Sequence, residues 1–327
     1  MLALSAADLQ SLVPMAEAVA LMKMAFSDLS AGRAYAPMRT PVPTPERDAV
    51  SLVMPAAVPS VGGLGLKIVS VFPHNPAAGK KLIHGLVVLV NPEDGVPLAV
   101  LDGTVLTALR TGAASGAATD LLALPDARIL ALFGSGAQAI TQAQAICAVR
   151  PIEEIRVYSR LQEHVMQFIA QMFFVDGEIA ARMRPAATPA EALRGAHVVC
   201  TATTAIAPLF TDDLIEMGTH LNAVGAYTPA MQEVPPETVA RAYVVVDQTA
   251  AAWEEAGDLI KARDAGLFAQ DATVELGAIV NGTAPGRTSA AQVTFFKSVG
   301  NAVQDIAVAR RAVDVARERG IGQEIAL

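Results

Sequence analysis

The 327-residue chain reads as an α/β protein, with a doubly wound parallel sheet in its middle and a second, separate sheet domain ahead of it. Three observations carry that reading. After Pro125, strand-like runs of Val, Ile and Leu alternate with helical ones, the pattern of a parallel sheet covered by helices. The first of these strands, "RILALFG", runs straight into Gly134-x-Gly136-x-x-Ala139 and an alanine-rich helical stretch. Before them, from Arg39 onward, strand follows strand with no helix between, which an antiparallel or mixed sheet accommodates and a purely parallel one does not.

Taken in order, Ser5 and Asp8 form a capping-box start, and "PMAEAVALMKMAFSDLSAG" repeats apolar residues at helical spacing up to Gly32, so two helices open the chain. The runs "SLVMPA", "GLGLKIVSVFP", "HGLVVLVNP" and "VPLAVLDG" follow as strands between Pro and Gly breaks. Thr104 to Ala123 is a helix whose small residues suit close packing, with Gly112 and Gly116 counting against its regularity. The alternating region then supplies the strands "EIRVYSR", "ARMRPA", "HVVCTATT", "THLNAVGA" and "AYVVVDQ", with helices in "LQEHVMQFIAQMFF" and "PAEALRGA" between them. A last helix, roughly Ser298 to Arg319, carries Ile306, Val313 and Val315 periodically and is expected to pack back on the first domain.

Composition narrows the function. A net charge of -8 with a pI near 5.2 leaves no basic stripe for a phosphate backbone, which argues against nucleic acid as a partner. A small anionic metabolite would need its own local cations. Cys147 and Cys200 sit in apolar patterns without disulfide or zinc spacing and read as buried thiols in a reducing compartment. The five histidines, at 74, 84, 164, 197 and 220, show no metal-ligand spacing, so no metal is expected. The apolar N-terminus lacks an early Lys or Arg and is broken by Asp8, Pro14 and Glu17, unlike a signal peptide. No apolar run reaches the length of about 18 residues that a membrane span needs. A cytoplasmic protein without membrane contact is expected. Mean hydropathy is nonetheless +0.41, which alanine and a large subunit interface would explain.

The glycine turn points to a dinucleotide. Gly134 allows the tight turn, Gly136 lets backbone approach a pyrophosphate, and Ala139 permits close packing of helix on strand, while the helix N-terminus offers free N–H donors. Ser135, Ala137 and Gln138 complete that loop. An NAD site usually carries an acidic residue about 20 positions on, at the end of the second strand. Here that strand ends in Ser159 and Arg160, which would hydrogen-bond and pair with a 2′-phosphate, so NADP(H) is the expected cofactor and NAD(H) the alternative. The competing reading is that Arg160 merely caps a loop.

Together, "PLAVLDGTVLTALRTGAASGAAT", "GSGAQA", "VGAYTP", "ELGAIVNGTAPGRTS" and "TFFKSVGNAVQDIA" resemble the ornithine cyclodeaminase and mu-crystallin family over nearly the whole chain. The resemblance implies a homodimer in which residues 1–115 form a substrate-binding and dimerisation domain of α+β type. Residues 116–302 would then be a Rossmann domain for NAD(P)(H), and residues 303–327 a helix returning to the first domain. Family members include cyclodeaminases, ketimine reductases and alanine dehydrogenases.

The resemblance also assigns residues. Arg39, Lys67 and Arg110 match positions that hold a substrate carboxylate, which suits the chemistry: a buried carboxylate needs cations, and guanidinium groups grip it bidentately. Lys67 interrupts a strand between Leu66 and Ile68 and is either a solvated outward side chain or an inward charge with a partner; lysine's rarity in cores favours the former, the resemblance the latter. Two positions depart from the cyclodeaminase pattern, where acidic residues stand: Leu52 in "SLVMP" and Tyr227 in "VGAYTP". Without those carboxylates a second, cationic amine would be buried unpaired, so a diamino acid should bind poorly. An uncharged ring fits better. The expected reaction is therefore NAD(P)H-dependent reduction of a cyclic imino acid, Δ1-pyrroline-2-carboxylate or Δ1-piperideine-2-carboxylate, to an amino acid such as L-proline. Ornithine cyclodeamination and an alanine or other amino-acid dehydrogenase are the alternatives. A desolvated Lys67 would donate the proton, with His84 the competing donor, although a lone histidine at a strand start is more often structural. Tyr227 lines the pocket or simply packs. For the cofactor the resemblance adds Thr111, Thr203, Val224, Gly225, and Lys297, Val299 and Gly300 of "KSVG" at a helix start. Asp102 and Glu275 read as caps or structural partners.

Overall fold

Two hydrogen-bonded sheets organise the chain, and each belongs to its own unit. The computed structural model describes residues 1–326, and it divides into residues 1–110 with the segment from 301 onward, and residues 111–300.

The first unit opens with β1 (Leu2–Leu4), α1 (Ala6–Leu12) and α2 (Met15–Ser30). Ser5 caps α1 through the expected capping box with Asp8. There follow β2 (Thr40–Thr44), β3 (Ala49–Val58), β4 (Gly63–Val71), β5 (Ile83–Val90) and β6 (Pro97–Asp102). These four successive hairpin connections give the antiparallel ladder β2-β3-β4-β5-β6, and β1 adds to β6 in parallel, so the sheet is mixed. α3 (Gly103–Leu122) leaves the sheet at Asp102, whose carboxylate accepts from the N–H groups of Thr104 and Val105 and caps the helix, as expected.

The second unit strings β7 (Ile129–Phe133), α4 (Ala137–Val149), β8 (Glu154–Tyr158), α5 (Gln162–Val175), α6 (Gly177–Ala181), β9 (Met183–Pro185), α7 (Pro189–Leu193) and β10 (Val198–Thr201). It continues with β11 (His220–Ala223), α8 (Pro236–Arg241), β12 (Tyr243–Val246), α9 (Thr249–Glu255), α10 (Gly257–Asp264), β13 (Val274–Glu275), α11 (Leu276–Val280) and β14 (Thr294–Lys297). Every pairing is parallel, in the order β13-β12-β14-β11-β10-β7-β8-β9. The chain winds outward from β7 to β9, then returns to β10 at β7's other side, which makes the β7/β10 boundary the topological switch point of a doubly wound sheet. Ala139, Ala143 and Ile146 of α4 and Val165, Phe168 and Met172 of α5 form one buried cluster with the strand residues Leu130, Leu132, Ile155 and Val157. Glu275 accepts from the Thr249 N–H and so starts α9, a structural role as expected.

The chain then re-enters the first unit through α12 (Ala302–Arg319) and ends its described elements with β15 (Gln323–Glu324), which pairs with β1. α12 packs on α2 and on β3, β4 and β5, burying Ile306, Val313 and Val315.

Two expectations need correcting. Gly112 and Gly116 do not disturb α3, which runs unbroken; a Cβ on Gly112 would lie 2.4 Å from the Thr141 carbonyl oxygen, so the glycine serves the close crossing of α4. The final helix begins at Ala302 rather than Ser298, because Asp247 captures the Ser298 hydroxyl and the N–H groups of Val299 and Gly300, holding that segment as a loop before Asn301 caps the helix.

The sheet of the first unit carries apolar side chains on both faces. On the face away from α12, Leu64, Leu66, Ile68, Leu86, Val88 and Val100 lie in cross-strand register and half-exposed. An antiparallel sheet with one face on a core normally turns polar residues outward. Among the described residues no single helix is long and apolar enough to cross a membrane.

Candidate active site

β4 delivers Lys67 to the face that α12 covers, where the residue is only 2% exposed. Its cross-strand neighbours are Met54 and Val87, which offer the ammonium no partner. Asp305 of α12 does: its Oδ2 lies 2.7 Å from Lys67 Nζ. The other oxygen of that carboxylate accepts from Arg110 Nε at 3.0 Å, and Gln304 Oε1 accepts from Arg110 Nη1 at 2.5 Å. Arg39, half-buried just ahead of β2, acts on Lys67 electrostatically. Lys67 and Arg110 therefore share one buried carboxylate, with Arg39 near enough to act on the lysine. Burial, and then repulsion from Arg110, push the Lys67 ammonium down to about 8, against the attraction of Asp305.

Lys67 and Arg110 share a single negative charge, and two donors beside it are left over. Among the described residues Arg110 Nη2 has no hydrogen-bond partner, and the buried Gln304 Nε2 has no acceptor. A carboxylate ligand would supply both deficits. The bidentate grip expected of Arg110 is modified, because α12 already engages its Nε and Nη1. Its Nη2 edge is what remains.

Strand geometry sorts the other predicted residues. Leu52 lies two positions from Met54 and pairs with Val69, so it shares the Lys67 face. His84 pairs with Ser70, one residue out of phase with Lys67's partners, which turns its exposed side chain to the opposite face of the sheet. The histidine and the lysine are not brought together, and the competing proton donor drops out of this cluster on the two-residue period of the strand.

In the second unit the predicted nucleotide residues gather along the carboxyl edge of adjacent parallel strands. Gly134 to Gln138 follow β7, Ser159 and Arg160 follow β8, Thr203 follows β10, Val224 and Gly225 follow β11, and Lys297 to Gly300 end β14. Gly134 adopts φ +109°, and a Cβ there would meet the Ala202 carbonyl oxygen at 2.5 Å. No side chain caps α4, whose N-cap Gly136 faces open space, and Gln138 Oε1 is buried without a partner. Free N–H groups, a cradle without side chains and the switch-point position fit a pyrophosphate. Arg160 is exposed and makes no ion pair among the described residues. Thr111 is buried on α3, and Tyr227 is 42% exposed, with its backbone N–H turned onto the Gly225 carbonyl.

Several of these residues have their polar groups engaged by partners that sequence reasoning missed. Glu233 Oε1 accepts from both the N–H and the hydroxyl of Thr203, and Oε2 from the Thr201 hydroxyl and the Gly225 N–H. Burial pushes the Glu233 carboxyl up, with Lys297 opposing. Lys297 is fully buried and pairs with Asp258 at 3.0 Å. Its side chain therefore belongs to the scaffold, as do the Val299 and Gly300 N–H groups held by Asp247. In sequence Glu233 is a lone acid in "MQEVP" and Asp305 an acid in the first turn of a helix, and neither pattern marks a buried partner.

A family model described as the ornithine cyclodeaminase/mu-crystallin family matches residues 1–320. The chain belongs to that family. Among members of the ornithine cyclodeaminase/mu-crystallin family it is 42% identical to a Δ1-pyrroline-2-carboxylate reductase of Bacillus cereus, with 99% of each chain covered. The structure of Thermococcus litoralis Δ1-pyrroline-2-carboxylate reductase in complex with NADH and L-proline superposes with a TM-score of 0.94 at 35% identity, covering 99% of this chain and 100% of that one. An archaeal alanine dehydrogenase dimer with bound NAD gives a TM-score of 0.90 at 31% identity, covering 100% and 99%.

Proposed function

We propose that this chain reduces a cyclic imino acid, Δ1-pyrroline-2-carboxylate or Δ1-piperideine-2-carboxylate, to the cyclic amino acid, using a reduced nicotinamide dinucleotide and preferring NADPH to NADH. The observation that carries the reading is the buried pair Lys67 and Arg110 on the one carboxylate of Asp305, with the half-buried Arg39 acting on Lys67. It has surplus positive charge for one ligand carboxylate, and Leu52 on the same face presents no acid to a second ammonium. The 42% identity to a Bacillus reductase of that name supports the same substrate class.

In this reading Arg39, Lys67 and Arg110 bind the carboxylate and so orient the ring. Lys67 Nζ, ionised below about pH 8, holds the proton that the ring nitrogen takes as the C=N bond is reduced. That value lies close to neutrality, where a general acid both carries and releases its proton. The bound dinucleotide supplies the hydride, and the Gly134–Gln138 loop, with Ser159 and Arg160, holds it. The NADPH preference rests on the exposed Arg160 and the absence of an acid at the end of β8. Residues 1–115 would serve substrate and dimerisation, 116–302 the nucleotide, and 303–327 would complete the first domain. A second copy of the chain would cover the apolar outer sheet face, as obligate homodimers do; the archaeal relative is a dimer.

The test is a panel with both reduced nucleotides: the two cyclic imines, pyruvate with ammonia, and ornithine with catalytic NAD. Turnover of an imine, fastest with NADPH, is expected. Efficient alanine formation would favour the dehydrogenase reading, and proline from ornithine without net redox change would favour cyclodeamination.

A further inference from the structure

We propose that Asp305 is the positioning residue of the cation cluster, setting Lys67 and Arg110 at the spacing of one carboxylate so that a second carboxylate, the substrate's, fits the same pair. The proposal rests on the carboxylate-binding reading above and deepens it.

Lys67 and Arg110 come from separate elements, β4 and α3, and repel one another in a region with little water to screen them. Left alone they would swing apart, or the lysine would lose its proton. Asp305 prevents both by giving each cation one oxygen, 2.7 Å from Lys67 Nζ and 3.0 Å from Arg110 Nε. The distance between those two oxygens is covalently fixed. Gln304 adds a second hold on Arg110 through Nη1 and is itself tied to the Asn301 N–H at 3.3 Å in the capping box of α12. The start of α12 is thereby a registering device, and a helix N-terminus favours a negative charge at that place.

The charged groups that face Lys67 are Arg110 from α3, Asp305 from α12 and Arg39 from the segment before β2; β3 and β5 contribute the apolar Met54 and Val87. Among the described residues Asp305 is the attractive one. Removing its charge lets burial and the two arginines act unopposed, so Lys67 would deprotonate at lower pH.

The experiment measures kcat and KM for Δ1-pyrroline-2-carboxylate across pH in the wild type, Asp305→Asn and Asp305→Glu, with NADH affinity and thermal unfolding recorded for each. Asp305→Asn is expected to raise KM at least tenfold and to move the alkaline fall of kcat/KM down by about one to two pH units. NADH affinity stays near the wild-type value. Asp305→Glu keeps the charge, so it leaves the alkaline fall in place while raising KM through altered spacing. An Asn variant with the wild-type profile and KM overturns the proposal, as do Asn and Glu variants that lose kcat alike with no change in profile. Where the Asn variant does not fold, the Glu variant decides: a wild-type KM overturns it. Should the wild type reduce no cyclic imine, the functional reading falls alone. Lys67 is then titrated directly by NMR of 13C-lysine protein, its signal assigned by loss in Lys67→Arg, and an unchanged midpoint in Asp305→Asn overturns the positioning role.

Discussion

Two lysines lie fully inside this protein, one in each unit, and their surroundings differ in kind. Lys297 faces Asp258, whose Oδ1 also accepts the N–H groups of Glu233 and Val234, and the neighbouring Glu233 carboxylate accepts from four donors. Two buried carboxyl groups stand beside one ammonium there, and both are held by backbone or hydroxyl donors. Lys67 shares one carboxylate with Arg110 and stands near Arg39, with an amide and a guanidinium edge left over. A buried charge with saturated partners is scaffold; one in surplus waits for a ligand.

The widest separation between the two should come from Lys67→Met and Lys297→Met. The first is expected to lower kcat/KM for the imine about a thousandfold, the range of a lost general acid, while NADH affinity and folding survive, since Asp305 keeps Arg110. The second leaves Asp258 buried without its cation and should cost about 3–5 kcal/mol of stability, read by urea unfolding. Equal destabilisation in both variants would break the contrast.

The pH dependence sharpens it further. Lys67 has a folded value of about 8, below the ordinary lysine value, so the unfolded chain holds a proton that the folded one has lost between those limits. Stability from this group therefore rises with pH: its full cost is present below about pH 8 and is relieved as pH climbs to about 10.5. Relative to Lys67→Met, the wild type should gain about 3 kcal/mol over that window. A difference that is flat with pH would mean that Lys67 is not desolvated.

These two lysines also show where the sequence was legible. The alternating strands and helices after Pro125, the glycine turn at Gly134 and the hairpin ladder were readable because period and turn chemistry are local. The Lys67 face was not, since a lysine between Leu66 and Ile68 looks alike whether its partner is water or a residue 238 positions away, as Asp305 is (305 − 67). Glu233 was hidden for the same reason: the donors it binds come from the ends of two other strands. The face of His84 was hidden on a different ground, because its phase relative to Lys67 depends on the register between β4 and β5, which single-strand patterns do not contain.

The smallest predicted effect concerns the edge of the parallel sheet rather than its interior. Arg160 stands just past β8, and the Gly134 N–H donates to the Tyr158 carbonyl at 2.9 Å, so the tip of β8 is tied to the glycine turn that would hold the pyrophosphate. A 2′-phosphate on the adenosine ribose would lie near that tip, as the ribose contact does in this class of fold. Among the described residues Arg160 has no ion pair to break, and it has little burial to lose, so its removal should leave stability unchanged. Arg160→Ala is then expected to weaken NADPH about tenfold through one lost charge-assisted hydrogen bond, with NADH altered by much less. Binding titrations of both nucleotides decide it, and equal losses would mean that the arginine acts on the shared part of the dinucleotide, leaving Ser159 alone to favour the phosphate.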